Sequence, residues 1–203
     1  MADNKTLIIF TRYPEPGKTK TRLIPALGTV GAAELQRQMS EHTLKNAQQW
    51  QTISGGKIAI YFAGGDVNLM SNWLGQDLNY YPQVTGDLGN KMQSAFSQAF
   101  EDGATQVITI GTDCPDLNYM LIDQAFNSFL KHDLVLGKAE DGGYYLIGLK
   151  RLIPELFHNI NWGTNQVLAQ TQTIANSLHL NIAYLPTLRD VDRPEDLFIW
   201  EKY

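Results

Sequence analysis

A chain of 203 residues with 43% hydrophobic and 18% charged side chains has material for a sizeable core, which excludes a disordered protein. Its net charge of −5 leaves no basic excess for a phosphate backbone, which speaks against a nucleic-acid partner. Cys114 is the one cysteine, so an internal disulfide is excluded, and His42, His132, His158 and His179 lack zinc-type spacing.

The first residues, Met1-Ala2-Asp3-Asn4-Lys5, lack the basic-then-apolar pattern of a signal peptide, and no apolar run approaches membrane-spanning length. A cytoplasmic protein without a membrane partner is expected. Short apolar runs predict strands at Leu7–Thr11, Lys57–Phe62, Leu78–Tyr81, Gln106–Ile110, Asp133–Leu136, Tyr144–Leu149 and Asn181–Leu185. Between them, helical spacing links Leu35, Met39, Thr43 and Ala47. It also links Met92, Ala95, Phe96, Ala99 and Phe100, and later Val167, Leu168, Thr171, Ile174, Ala175 and Leu178. A further helix begins near Tyr119, and Pro194-Glu195-Asp196 opens the last one. Alternating strands and helices, with no linker, predict one α/β domain over residues 1–203. The expected architecture is a three-layer Rossmann-like sandwich with a mostly parallel mixed sheet.

The loop Pro14-Glu15-Pro16-Gly17-Lys18-Thr19-Lys20-Thr21-Arg22-Leu23 leaves the first strand at its carboxyl end, where α/β proteins place ligands. Two prolines stiffen it, and Gly17 permits close backbone approach. Lys18, Lys20 and Arg22 are suited to an anion. Gly17-Lys18-Thr19 resembles the end of a P-loop, but Arg12 stands where that pattern needs glycine, so the P-loop reading is rejected.

Carboxylates follow at later strand ends. In Gly111-Thr112-Asp113-Cys114-Pro115-Asp116, Asp113 is placed to hold Mg²⁺ or Mn²⁺ against a diphosphate, whereas Asp116, with Asn118, fits a helix cap. Glu140-Asp141-Gly142-Gly143-Tyr144 suits either an Asp-Gly hairpin or a ligand wall in which Asp141 orients or deprotonates an acceptor hydroxyl. Asp190 and Asp192 share a side of an extended piece, and Asp192 is open to two roles, capping the last helix or joining Asp113 at a metal. Gly86 and Gly89 leave room for a base edge, although a glycine turn with Asp87 as cap explains them better. Thr164 looks like a helix cap, and Trp162 belongs to the core or to an acceptor pocket.

Together these motifs resemble the glycosyltransferase-A (nucleotide-diphospho-sugar transferase) superfamily, and within it small proteins associated with arsenosugar biosynthesis. The match rests on Pro14-Glu15-Pro16-Gly17-Lys18 with Thr21-Arg22-Leu23, Gly86-Asp87-Leu88-Gly89, Gly111-Thr112-Asp113-Cys114-Pro115, Asp141-Gly142-Gly143-Tyr144-Tyr145 and Asp190-Val191-Asp192 with Pro194-Glu195-Asp196-Leu197. The resemblance implies a nucleotide held by Thr11, Arg12, Pro16, Gly17, Lys18, Lys20, Arg22, Gln83, Gly86, Asp87 and Thr112. It implies a Mg²⁺ or Mn²⁺ ion on Asp113 and Asp192, and an acceptor beside Asp141, Gly142, Gly143 and Trp162. Asp113, Asp141, Lys18 and Arg22 would carry catalysis, the two cations by stabilising a departing diphosphate. The chain departs from the pattern in having Asp113-x-x-Asp116 in place of Asp-x-Asp, Arg193 in place of threonine and Lys91 in place of arginine. Sugar transfer from a nucleotide-sugar to a small-molecule acceptor is the leading expectation. Nucleotidyl transfer from an NTP to a phosphorylated or acidic small molecule with pyrophosphate release, and nucleotide binding without catalysis, stand as alternatives.

Overall fold

In a computed structural model, which describes residues 4–203, all seven expected strands form. Residues 1–3, part of the expected leaderless N-terminus, lie outside the described residues. The strands are β1 (Lys5–Arg12), β2 (Lys57–Ala63), β3 (Asn79–Pro82), β4 (Gln106–Ile110), β5 (Leu134–Ala139), β6 (Tyr144–Leu149) and β7 (Ile182–Leu188). They make one sheet in the order β3-β2-β1-β4-β6-β5-β7. Pairing is parallel except on the two sides of β6, which runs against β4 and β5. The reversal follows from the short Asp141-Gly142 turn, where Gly142 takes φ 89° and Ala139 N–H donates to the Gly143 carbonyl. The hairpin reading of that motif is therefore correct, and it delivers the start of β6 to the same sheet edge as the ends of β1 and β4.

Helices cover both faces. On one face α1 (Ile24–Ser54) and α4 (Tyr119–Ser128) pack Leu44, Ala47, Trp50 and Phe126 onto Leu7, Ile9, Ile58 and Ile108. Trp50 stacks on Phe126 with ring centroids 4.6 Å apart. On the other face α3 (Leu88–Glu101) and α5 (Val167–Ser177) bring Met92, Phe96 and Ala175 against Ile8, Val107 and Ile147. The α1 segment is two helical pieces joined at Gly28, whose φ of 70° and ψ of 170° no helix accommodates. An additional helix, α2 (Val67–Leu74), is capped by Asp66, which accepts from Leu69 N–H at 2.9 Å.

Capping corrects two expectations. Asn118 alone caps α4, accepting from the Met120 and Leu121 N–H groups, while Asp116 accepts from the Tyr203 hydroxyl. Thr164 does not cap α5; its hydroxyl closes a turn, donating to Asn161 O and accepting from Gln166 N–H, before the helix begins at Val167. Asp87 does cap α3, in a reciprocal box with Asn90. Asp87→Ala is expected to cost about 1 kcal/mol, read as a lower urea midpoint with an unchanged slope.

A third apolar cluster positions the chain's C-terminal segment. Leu23, Ala32, Leu35 and Met39 enclose Val191 and Ile199, and Val191 is fully buried. The last helix, α6 (Leu197–Trp200), follows a 3-10 turn at Pro194–Asp196. Asp192 does not cap it; instead the Asp196 carboxylate reaches back to the N–H groups of Asp192 and Arg193. Burial of Val191 thus presents Asp190 and Asp192 to the first loop.

Candidate functional site

A cavity of about 510 Å³ opens at the edge where β1 and β4 end and β6 begins. Its size suits a small-molecule site. Of the expected residues, Thr11, Arg12, Lys20, Gln83, Thr112, Asp113, Asp141, Gly143, Trp162 and Asp192 line it. Pro16, Gly17, Lys18, Arg22, Gly86, Asp87 and Gly142 lie outside its lining. Asp87 is occupied as the α3 cap, and Gly142 shapes the hairpin, where a Cβ would overlap the Asn165 carbonyl.

The loop cations are already partnered. Lys18 pairs with Glu15 at 2.7 Å and is exposed. Lys20 takes the left-handed conformation, φ 42° and ψ 47°, and its side chain is only 5% exposed. Its ammonium donates to Asp113 Oδ1 at 2.7 Å and to the Val191 carbonyl at 2.8 Å. Arg22 pairs with Asp192. Since Val191 N–H also donates to the Asp113 carbonyl, the first loop, the β4 end and the C-terminal segment are tied into one unit. Lys20 and Arg22 therefore orient carboxylates, and of the loop cations only Lys18 and Arg22 also face solvent.

Four carboxylates, Asp113, Asp141, Asp190 and Asp192, line the cavity. Burial, then repulsion from Asp141, pushes Asp190 up to about 6, with Asp113 and Asp192 adding to the effect. Among the described residues, no group of three or more His, Cys, Asp and Glu side chains is arranged to hold a metal ion. The available donors are carboxylate oxygens, the type that Mg²⁺ and Mn²⁺ prefer. Asp141 accepts from Gly143 N–H at 2.8 Å, which turns its carboxylate within the hairpin. Cys114 also lines the cavity, but its thiol is buried and burial pushes it well above the ordinary range, so it is no thiolate nucleophile.

Comparison with known proteins places this geometry in a family. Residues 43–164 match the family described as "uncharacterized protein conserved in bacteria (DUF2064)". A crystal structure from Desulfovibrio desulfuricans G20, provisionally named a nucleotide-diphospho-sugar transferase, is 33% identical with a TM-score of 0.87. The alignment covers 98% of this chain and 86% of that one. The chain belongs to the DUF2064 family. Two nucleotidyltransferases share the fold at low identity. CMP:2-keto-3-deoxy-manno-octonic acid synthetase, complexed with CTP, matches at 10% identity with a TM-score of 0.62, over 98% of each chain. The 4-diphosphocytidyl-2C-methyl-D-erythritol synthase of Anaerococcus prevotii matches at 12% and 0.66, over 100% of this chain and 96% of that one. No curated protein sequence matches the chain.

In this DUF2064 protein several lining residues were not singled out from sequence as site residues. Gln36 is buried on α1 and donates to Ser40 Oγ at 3.0 Å, Thr112 Oγ1 at 3.4 Å and Thr11 Oγ1 at 3.5 Å. Thr11 and Ser40 hydroxyls close the network at 2.8 Å. This network locks the ends of β1 and β4 to α1 beneath the cavity. The signal was present as two polar residues, Gln36 and Ser40, one turn apart beside the apolar stripe of Leu35 and Met39. Asp190, Thr109, Tyr144 and Lys91 are among the other lining residues given no site role from the sequence. Among the described residues no helix is long and apolar enough to cross a membrane.

Proposed function

We propose that this protein transfers a sugar from a nucleotide-sugar to a small-molecule acceptor, with Mg²⁺ or Mn²⁺ bound on Asp113 and Asp192. One observation carries the reading: a single cavity brings the ends of β1, β2 and β3 together with Asp113, just after β4, and the carboxylates of the C-terminal segment. The first part is suited to a nucleotide and the second to its diphosphate. The donor set fits such an ion, because Mg²⁺ commonly takes one or two carboxylates and completes its shell with water and substrate phosphate. When bound, the ion would supply charge neutralisation to the diphosphate.

The chain's own residues divide the remaining work. Arg12 and Gln83 face the nucleotide end, and Arg12 makes no ion pair among the described residues, so its guanidinium is available to a phosphate. Lys20 holds Asp113 in place, and Arg22 does the same for Asp192. Asp141, at the hairpin, orients the acceptor hydroxyl and receives its proton. The relative at 33% identity, named for nucleotide-diphospho-sugars, supports a sugar donor. The resemblance to arsenosugar-associated proteins makes an arsenosugar precursor one acceptor to supply in the assay.

Nucleotidyl transfer is the second reading, favoured by the fold shared with the two nucleotidyltransferases. Incubation with Mn²⁺, a nucleotide-sugar panel and an NTP panel separates the two. Release of nucleoside diphosphate is the expected result. Pyrophosphate in its place assigns nucleotidyl transfer, and neither product, with nucleotide still raising the melting temperature, reduces the function to binding.

A further inference from the structure

We propose that the α3 side of the cavity is an acceptor subsite built for an anionic, hydroxylated small molecule, with Lys91 as the residue that recognises its negative group. The inference rests on the transferase reading above and goes beyond it in naming the acceptor's chemistry.

Charge is distributed unevenly around the cavity. Asp113, Asp190 and Asp192 gather at the β4 end and the C-terminal segment, with Asp141 at the hairpin. Lys91 lines the cavity from α3, is half-buried, and makes no ion pair among the described residues. The nearest carboxylate in sequence, Asp87, is committed to the Asn90 N–H. A half-buried ammonium without a carboxylate is a natural anchor for an anion. An anionic acceptor would be repelled by the carboxylate wall unless its charge lay at Lys91. That orientation turns its far end, with a hydroxyl, toward Asp141.

The surfaces beside Lys91 supply a second, independent observation. Thr109, Tyr144 and Trp162 all line the cavity, and Thr109 Oγ1 and Trp162 Nε1 are buried without a hydrogen-bond partner. Tyr144 Oη differs: it lies beside the Thr171 hydroxyl, which donates to the Val167 carbonyl at 2.9 Å and keeps lone pairs to accept from the phenol. Two orphaned groups line one cavity, where native proteins leave few such groups unmet. Trp162 and Tyr144 meet edge to face, with centroids 6.4 Å apart. A flat indole with an unpaired N–H, one unpaired hydroxyl and one ammonium form a site for a ligand bearing several hydroxyls and one acid group.

The experiment uses the full chain without nucleotide. Calorimetry would compare glucose with glucuronate and glucose 6-phosphate, and glycerol with glycerate and glycerol 3-phosphate. At least one acid is expected to bind about tenfold or more tightly than its neutral parent, the gain of one charge-assisted hydrogen bond. The carboxylate and phosphate arms identify which acid group the site prefers. Lys91→Met should remove that gain while nucleoside diphosphate affinity stays within about twofold, and Lys91→Arg should restore it. Lys131→Met, on the exposed surface, controls for net charge. Acids that bind no better than their parents, or a Lys91→Met protein that keeps the preference, overturn the subsite. Because nucleotide is absent from this measurement, its failure leaves the transfer reaction to be judged separately by the product-release assay.

Discussion

Asp113→Asn is expected to lower turnover in the product-release assay by roughly a hundredfold or more, with the fold intact. Changes to residues that only support a ligand already cost about 10- to 100-fold, and Asp113 is placed here as a direct ligand. Asparagine is the informative substitution because Asp113 has two separable roles. Its carboxylate supplies negative charge to the cavity, and its Oδ1 accepts from the Lys20 ammonium. Asparagine keeps an oxygen acceptor and the backbone carbonyl that receives Val191 N–H. Alanine would leave Lys20, whose side chain is 5% exposed, with only the Val191 carbonyl. Asp113→Ala should therefore cost a further 1–3 kcal/mol or so of stability, damped because Asp113 itself is half exposed. Parallel urea melts and product assays on both variants separate the roles. Full turnover in Asp113→Asn would remove Asp113 from the mechanism.

The entanglement of these two roles marks the boundary of what the sequence disclosed. The strands were legible as short apolar runs, most clearly at the centre of the sheet, where all five residues of β4 are buried; the edge strand β3 has none buried. The carboxylates at Asp113, Asp141 and Asp192 were legible because they follow strands, and strand ends converge. Their partners were not. Lys20 and Asp113 are 93 positions apart, and Arg22 and Asp192 are 170 apart. Such pairings depend on how Val191 docks under Leu23 and Leu35, which no local pattern encodes. From the sequence alone, three cations in one loop read as one anion site. In the folded chain two of them are cross-links to the opposite wall. The helix α2 escaped for a different reason: eight residues give barely two turns of periodicity.

Gly89→Ala should destabilise the protein by about 1–3 kcal/mol, although alanine is the better helix former by about 1 kcal/mol. A Cβ at position 89 would overlap the Phe157 carbonyl oxygen and come within 2.7 Å of Trp162 Nε1. Neither neighbour yields easily. Phe157 closes the 3-10 turn Pro154–Phe157 with its side chain in the core, and Trp162 is braced edge-on by Tyr144. The strain therefore falls on the first turn of α3 or on Trp162, and either response reshapes the cavity beside Lys91. A urea melt and the near-ultraviolet circular dichroism of Trp162 should change together, along with affinity for the acidic probes. Gly111→Ala is the control, because a Cβ there meets nothing within 4 Å, and its effect should stay within about 0.5 kcal/mol. Wild-type stability in Gly89→Ala would show that α3 can retreat from Trp162 at no cost. The expected loss would instead assign Gly89 a packing role. A glycine that could have served a turn or a nucleobase edge would then be the seat of the cavity's indole wall.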